Sequence, residues 1–240
     1  LSSRQFRQAL AYAIDREALV QITQRGHAMA GSAGMIPPTS DWFNSEAPQY
    51  EHDPAKAQQL LQELGYRLEN GYFTKGGTEL ALELVTIASF KEVGQFVKQQ
   101  LEEVGIKIDF RTMEAKTADA KVLAWQFALV IYGHGGLYEP SILNKMVTGE
   151  GFNSARYHAN KTLNRLLEDQ LTEMERGKRM NIVRQIQEAY AEDLPALTLY
   201  YPNWYWAHDG RVELFYTNDG IAIGVPIPLN KLAFMEYEAM

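Results

Sequence analysis

One stretch of the chain concentrates residues able to contact a small molecule. Gly133-His134-Gly135-Gly136 is followed closely by Tyr138, Glu139 and Pro140. Glycines admit a ligand close to the backbone, and His134 and Tyr138 offer ring contacts and hydrogen bonds. The same residues also suit a turn that needs positive φ at two or three glycines, with His134 at the surface. Asn153, opening Asn153-Ser154-Ala155-Arg156-Tyr157, either ties down loop backbone or faces a ligand. Tyr200, Tyr201, Trp204, Tyr205 and Trp206 suit core or inter-lobe packing, a ligand wall being the other reading.

Patterns for catalysis are missing. His27, His52, His134, His158 and His208 are scattered, and no HExxH, GxSxG, Walker or dinucleotide fingerprint occurs. The chain has no cysteine, which removes disulfides, thiolate metal sites and Cys nucleophiles together. Nothing calls for a cofactor, and the chain is not expected to be an enzyme. Lys and Arg number 23 against 30 Asp and Glu, a net charge of −7. With no basic run, this balance argues against a nucleic-acid or anionic-membrane surface. The composition, 46% hydrophobic and 22% charged over 240 residues, supports a folded core.

The elements that must position these residues follow from periodicity and punctuation. Ser2 or Ser3 caps a helix with Phe6, Leu10, Ala13 and Ile14 inward; Asp15 restarts it with Leu19 and Ile22 on one face, up to Gly26. Residues 26–50 read as a long ordered loop or crossing segment. Asp53-Pro54 starts a helix carrying Ala57, Leu60, Leu61 and Leu64, which Gly65 ends. Tyr72–Thr74 and Glu79–Ile87 read as a hairpin around Lys75-Gly76-Gly77. A helix with Val93, Phe96, Val97, Leu101 and Val104 inward precedes a half-exposed strand at Ile106, Ile108 and Phe110. A short helix over about Thr117–Trp125 leads into Phe127–Ile131, an apolar run expected to be a buried central strand.

The glycine-rich stretch therefore leaves the carboxyl end of a strand in a βαβ-type sheet, where open α/β sheets place ligands. Two helices follow, one with Leu163, Leu166, Leu167, Leu171 and Met174, the other with Met180, Val183, Ile186 and Tyr190. Charged stretches such as Glu173 to Arg179 are expected to be solvated. Strands are expected at Ala196–Tyr201 and Trp204–Ala207, and the last thirty residues read as irregular.

Seven ordered segments carry a family resemblance. Arg7-Gln8-Ala9-Leu10-Ala11-Tyr12-Ala13-Ile14-Asp15-Arg16 is similar to the corresponding helix of family 5 extracellular solute-binding proteins, the dipeptide, oligopeptide and nickel receptors of ABC importers. The likeness continues through Ile36-Pro37-Pro38, Asp53-Pro54-Ala55-Lys56-Ala57, Leu101-Glu102-Glu103-Val104-Gly105-Ile106 and Gly151–Tyr157. It ends with Arg179–Gln187 and Glu192-Asp193-Leu194-Pro195.

The resemblance implies an α/β fold, a lobe of the type II periplasmic-binding-protein kind with a mixed, largely parallel sheet flanked by helices. It implies two lobes closing on ligand like a flytrap. Residues 1–207 would form the second, C-terminal lobe and 208–240 would return toward the first, with the N-terminal lobe and signal segment absent from this chain. The implied function is the substrate-binding component of an ABC importer, periplasmic or at the cell surface. It would be monomeric, take a peptide or related small solute, and hand it to a membrane permease, with no nucleic-acid partner.

The candidate ligand residues are His134, Gly135, Gly136, Tyr138, Glu139, Asn153 and Trp204, and the resemblance bears on the positions before Pro140. Peptide-binding members carry an Asp four residues before the Pro of their Asp/Glu-Pro motif; here that position is Gly136. Nickel-binding members place a Trp six and a Tyr two residues before it; here these are His134 and Tyr138. A nickel or metal-chelate receptor with His134 as ligand is thus the second reading. A sensor or regulator using this lobe, or a hydrolase built on the cleft, are the readings from other classes.

Overall fold

The computed structural model describes residues 3–133, 139–151, 154–203 and 205. The chain opens with α1 (Arg4–Ala13) and α2 (Arg16–Thr23), then β1 (Ala28–Ala30). Ser3 and Asp15 cap the two helices, accepting from the N–H groups of Phe6 and Ala18. Next come α3 (Pro54–Glu63), β2 (Arg67–Glu69), β3 (Tyr72–Lys75) and β4 (Thr78–Glu79). Asp53 accepts from Lys56 N–H while Pro54 starts the first turn of α3, the pairing expected from the dipeptide. β5 (Ala81–Ile87), α4 (Lys91–Glu103), β6 (Lys107–Met113), α5 (Ala115–Leu123) and β7 (Leu129–Val130) follow. Then come α6 (Ile142–Val147), α7 (Lys161–Thr172), α8 (Arg176–Asp193) and β8 (Tyr200–Pro202).

β5 is the middle strand of a three-stranded parallel sheet ordered β6–β5–β7. The α/β architecture is therefore as expected, but its centre is not the Phe127–Ile131 run. That run contributes only the two residues of β7, at an edge of the described sheet, while Leu84, Val85 and Thr86 of β5 are buried on both faces. The expected hairpin strand Glu79–Ile87 is also split. Leu80 N–H donates to Phe73 O of β3, and Leu80 O accepts from Lys107 N–H at the start of β6. Leu80 is the residue at which the chain leaves the antiparallel β2–β3–β4 ribbon for the parallel sheet.

α4 covers one face of that sheet. An added Cβ at Gly94 would lie 2.5 Å from Phe110 Cε2 on β6, so only glycine allows helix and strand to approach this closely. α5 is tied to the sheet through Lys121, whose ammonium lies 2.6 Å from Glu83 on β5. Phe6, Leu10, Leu61, Phe73, Leu84, Val97, Leu101 and Ile106 anchor the resulting apolar core. Each such side chain contributes about 1.5–3 kcal/mol on burial.

A second core forms from Met35, Ile36, α6, α7 and α8, with Leu163, Leu167, Val183 and Tyr190 at its centre. A small cluster of Ala11, Ala33, Ala47, Tyr50, Ala191 and Leu194 joins the two. Beside it, Arg7 Nε donates to Asp193 O (2.8 Å) and Tyr50 Oη to Ala191 O (2.9 Å), fastening α1 and the crossing segment to the end of α8. β1 lies inside the 26–50 crossing segment and pairs antiparallel with β8.

Three expected core positions are instead at the surface: Ile22 is 67%, Leu171 49% and Met174 91% exposed. Ile22 and Leu171 fall on the outer side of helices whose inward phase is complete without them, and Met174 lies beyond the end of α7. The strand expected over Ala196–Tyr201 is confined to Tyr200–Pro202, and Trp204–Ala207 lies outside the described residues except for Tyr205.

Candidate functional site

The carboxyl edge of the parallel sheet is built by the turns that follow β5 and β7. After Ile87 the chain makes a 3-10 turn, Ala88–Phe90, and enters α4. After β7, Ile131 N–H donates to Val85 O (3.0 Å), extending the pairing with β5 by one residue. Tyr132 follows, and its hydroxyl donates to the Asp119 carboxylate on α5. Burial first, then the bond to Asp119, pushes the Tyr132 hydroxyl up to about 12. At Gly133 an added Cβ would sit 3.2 Å from Phe90 Cζ, so the backbone leans on that ring.

The far end of the glycine-rich stretch is held by the second core. Glu139 accepts from the Arg179 guanidinium of α8 and from Ser141 N–H (3.3 Å). Pro140 O accepts from Gln170 Nε2 of α7 (3.3 Å), which also donates to Asn144 Oδ1 (2.8 Å). Gln170 is fully buried. Its two amide positions are both occupied, because Oε1 accepts from Arg179 Nη2 at 3.0 Å. Gly133 is thus held by the sheet core and Glu139 by the helical core.

Of the residues expected to bind ligand, Glu139 is described; it is 58% exposed at the side chain and paired with Arg179. His134, Gly135, Gly136, Tyr138, Asn153 and Trp204 lie outside the described residues. Their described neighbours are ordered on two different elements. Ala155 and Tyr157 donate their N–H groups to Met146 O and Val147 O (both 2.8 Å), laying the segment after Asn153 along the end of α6. Near Trp204, Asn203 Nδ2 and His27 Nδ1 lie 3.2 and 3.3 Å from Tyr205 Oη, beside the β1–β8 pair.

Tyr201 of the aromatic group is 8% exposed and bonded to Ser32 Oγ (2.8 Å), and Tyr200 packs against the sheet core, so both are structural. Among the described residues no group of three or more His, Asp or Glu stands close enough to hold a metal ion. No helix among them is long and apolar enough to cross a membrane.

Arg179 and Gln170 are the residues the sequence did not single out. Arg179, read with its neighbours as a solvated face, is only 20% exposed at the side chain and lies over the Trp42 ring at 5.2 Å. Gln170 stands seven residues after Leu163, in phase with Leu163, Leu166 and Leu167. A polar residue inside an apolar stripe is the signal that could have found it.

Comparison with known proteins bears on this arrangement. Residues 1–150 match the model of the bacterial extracellular solute-binding proteins, family 5 Middle. The oligopeptide-binding protein AppA of Bacillus subtilis (strain 168) is 27% identical over 224 residues, covering 88% of this chain and 40% of AppA. The glutathione-binding protein GsiB of Escherichia coli (strain K12) is 37% identical over 116 residues, 48% of this chain and 21% of GsiB. The structure of Bacillus subtilis AppA in complex with a nonapeptide superposes with a TM-score of 0.75 at 25% identity, over 83% of this chain and 42% of that one. NikZ from Campylobacter jejuni in complex with Ni(L-His) superposes equally, with a TM-score of 0.75 over 83% and 42% of the two chains, at 21% identity, a likeness of fold. The chain thus spans about 40% of the length of AppA.

Proposed function

The chain belongs to family 5 of the bacterial extracellular solute-binding proteins, and from that premise we propose that it serves an ABC-type importer as part of the substrate-binding component. It captures a peptide or related small solute between two lobes and delivers it to a membrane permease. Residues 1–207 supply the second lobe and 208–240 return toward the first. The protein acts as an exported monomer, and it binds without turnover.

One observation carries this reading. Gly133 emerges at the carboxyl edge of a parallel sheet, and that edge is where open α/β sheets receive small ligands. The glycine-rich stretch that begins there ends at Glu139, which is anchored from another core. We assign the ligand contacts to His134, Gly135, Gly136, Tyr138 and Glu139, with Asn153 and Trp204 on the flanks. The relatives' ligands, a nonapeptide for AppA and glutathione for GsiB by name, support a peptide-like solute. His134 with Tyr138 supports the second reading, in which the cargo is nickel or a nickel chelate.

A thermal-shift titration of the full-length protein with a nonapeptide, reduced glutathione, and Ni(II) with L-histidine tests this. A ligand that binds only the folded state stabilises it by about 2.7 kcal/mol at a hundredfold excess over Kd. A shift with either peptide supports the peptide reading, and a shift with nickel alone moves the assignment to His134 and Tyr138. Turnover of a peptide or ester would replace both with a hydrolase.

A further inference from the structure

We infer that Arg179 is a positioning residue for solute binding, holding Glu139 and Pro140 in place without touching the solute; the inference rests on the reading above that this edge receives the ligand. Arg179 Nε donates to Gln170 O (3.0 Å) and its Nη2 to Gln170 Oε1 (3.0 Å), while the same Nη2 reaches the Glu139 carboxylate. Trp42 lies under the guanidinium. A guanidinium is planar and donates only, so its acceptors are fixed in one fork.

That donor-only character decides the orientation of a second residue. Gln170 is fully buried and must present Oε1 to Arg179, which turns its Nε2 toward Pro140 O and Asn144 Oδ1. With Arg179 removed, Oε1 of the buried amide loses its donor, and Nε2 is left held at the other end by Pro140 O and Asn144 Oδ1 alone. Both residues that follow the glycine-rich stretch, Glu139 directly and Pro140 through Gln170, then lose their alignment. The geometry of the helical core thereby reaches the edge of the sheet core.

The sign of the local charge follows as well. Glu139 is matched by Arg179, so this carboxylate meets a ligand as half of an ion pair, not as a free anion. A lysine at 179 keeps the charge beside Glu139 but cannot also serve both oxygens of Gln170.

The test is a double-mutant cycle in affinity on the full-length protein, read by calorimetry with whichever of the nonapeptide, reduced glutathione and Ni(II)–L-histidine the wild type binds. Arg179→Met is expected to weaken Kd at least tenfold and Glu139→Ala at least fivefold. The double variant should lose less than the product of those two factors, because the residues act together. Arg179→Lys is expected to fall between wild type and Arg179→Met. Should Arg179→Met fail to fold, Arg179→Lys and the exposed Glu139→Ala close the same cycle.

A lowered melting temperature with Kd within twofold of wild type would mean a purely structural residue and overturn the inference. Fully multiplicative losses would also overturn it, since Glu139 and Arg179 would then act separately. If the wild type binds none of the three probes, the solute-binding reading itself falls, and this inference with it. Unchanged affinity in variants of a binding-competent wild type removes Arg179 alone.

Discussion

The sheet core and the helical core solve the same packing problem by different chemistry. Around β5 apolar shape dominates, with Leu84, Leu101, Ile106 and Phe73 buried and Gly94 letting Phe110 close against α4, and a buried amide, Gln100 of α4, enters at the rim to accept from Asp15 N–H (2.6 Å). Around α7 and α8, buried amides sit among the leucines. Gln170 and Gln187 are fully buried and Asn44 is 4% exposed. Gln187 Oε1 accepts from Asn44 N–H (2.9 Å) and its Nε2 donates to Trp42 O (2.7 Å), clipping the crossing segment onto α8. Apolar contact is strong but non-directional, whereas a buried amide accepts only one arrangement of donors and acceptors. The first core sets where the sheet edge is; the second fixes Glu139 and Pro140, where the described chain resumes.

The largest expected effect belongs to the apolar side. Leu84→Ala should cost about 2–5 kcal/mol, because it deletes buried methyl groups from the central strand and leaves a cavity. Urea unfolding measures it, and a loss under about 1 kcal/mol would show that the sheet core collapses around the gap and is not shape-determined.

Gln187→Leu probes the other side. The substitution is apolar and similar in size, so a core held by packing alone would accept it. Here it strands the buried Asn44 N–H and the half-buried Trp42 O, at about 1–3 kcal/mol for an unpaired buried group and less for the half-buried one. We expect a total loss of about 2–3 kcal/mol by the same denaturation, and an unchanged stability would erase the distinction between the two cores.

Tyr132→Phe tests the joint between sheet edge and α5. Removing the bond to Asp119 should lower stability by about 0.5–1.5 kcal/mol at neutral pH. The pH dependence carries its own sign. The hydroxyl titrates at about 12 when folded against about 10 when unfolded, so the folded state keeps its proton longer. Its contribution is complete below pH 10 and declines as pH rises from about 10 to 12. Because other tyrosines are also raised by burial, the measurement is the difference between wild type and variant across that window. Parallel curves would remove the bond to Asp119.

How much of this was legible in the sequence divides along the same line. The helices of the sheet core announce themselves, since Asp53-Pro54 and the Val93–Val97–Leu101–Val104 stripe report local capping and burial. The split at Leu80 and the short β7 were not legible, because strand pairing depends on which distant backbone satisfies each N–H. In the helical core Leu163, Leu166 and Leu167 are evident, but Gln170, in phase with them on α7, and Gln187, in phase with Val183 and Tyr190 on α8, carry the polar side chains of surface residues. Arg179 looked like one more charge in a solvated run. Its burial depends on Trp42, 137 positions away in the chain, which no local pattern conveys. For the candidate site the stretch beginning at Gly133 stood out by composition, whereas the residues that hold its ends did not.

The smallest expected effect is the one that sharpens the comparison most. Thr86 is a buried polar residue too, fully enclosed on β5, and by composition alone it resembles Gln187. Its hydroxyl donates to Ile87 O at 3.4 Å, at the long limit of a hydrogen bond, while its methyl lies 3.2 Å from where a Cβ on Gly94 would stand, closer than ordinary van der Waals contact. The side chain therefore works through shape, as its apolar neighbours do. Thr86→Val keeps the methyl, replaces the hydroxyl with a group of like size, and leaves Ile87 O with little to lose. Its cost should stay within about 0.5 kcal/mol, the low end for a single hydrogen bond, against about 2–3 for Gln187→Leu. Both are measured by urea unfolding under one set of conditions. A Thr86→Val loss as large as that of Gln187→Leu would mean that buried polar groups orient the strands of the sheet core as well, beyond Gln100 at its rim, and the division of labour between the two cores would not hold.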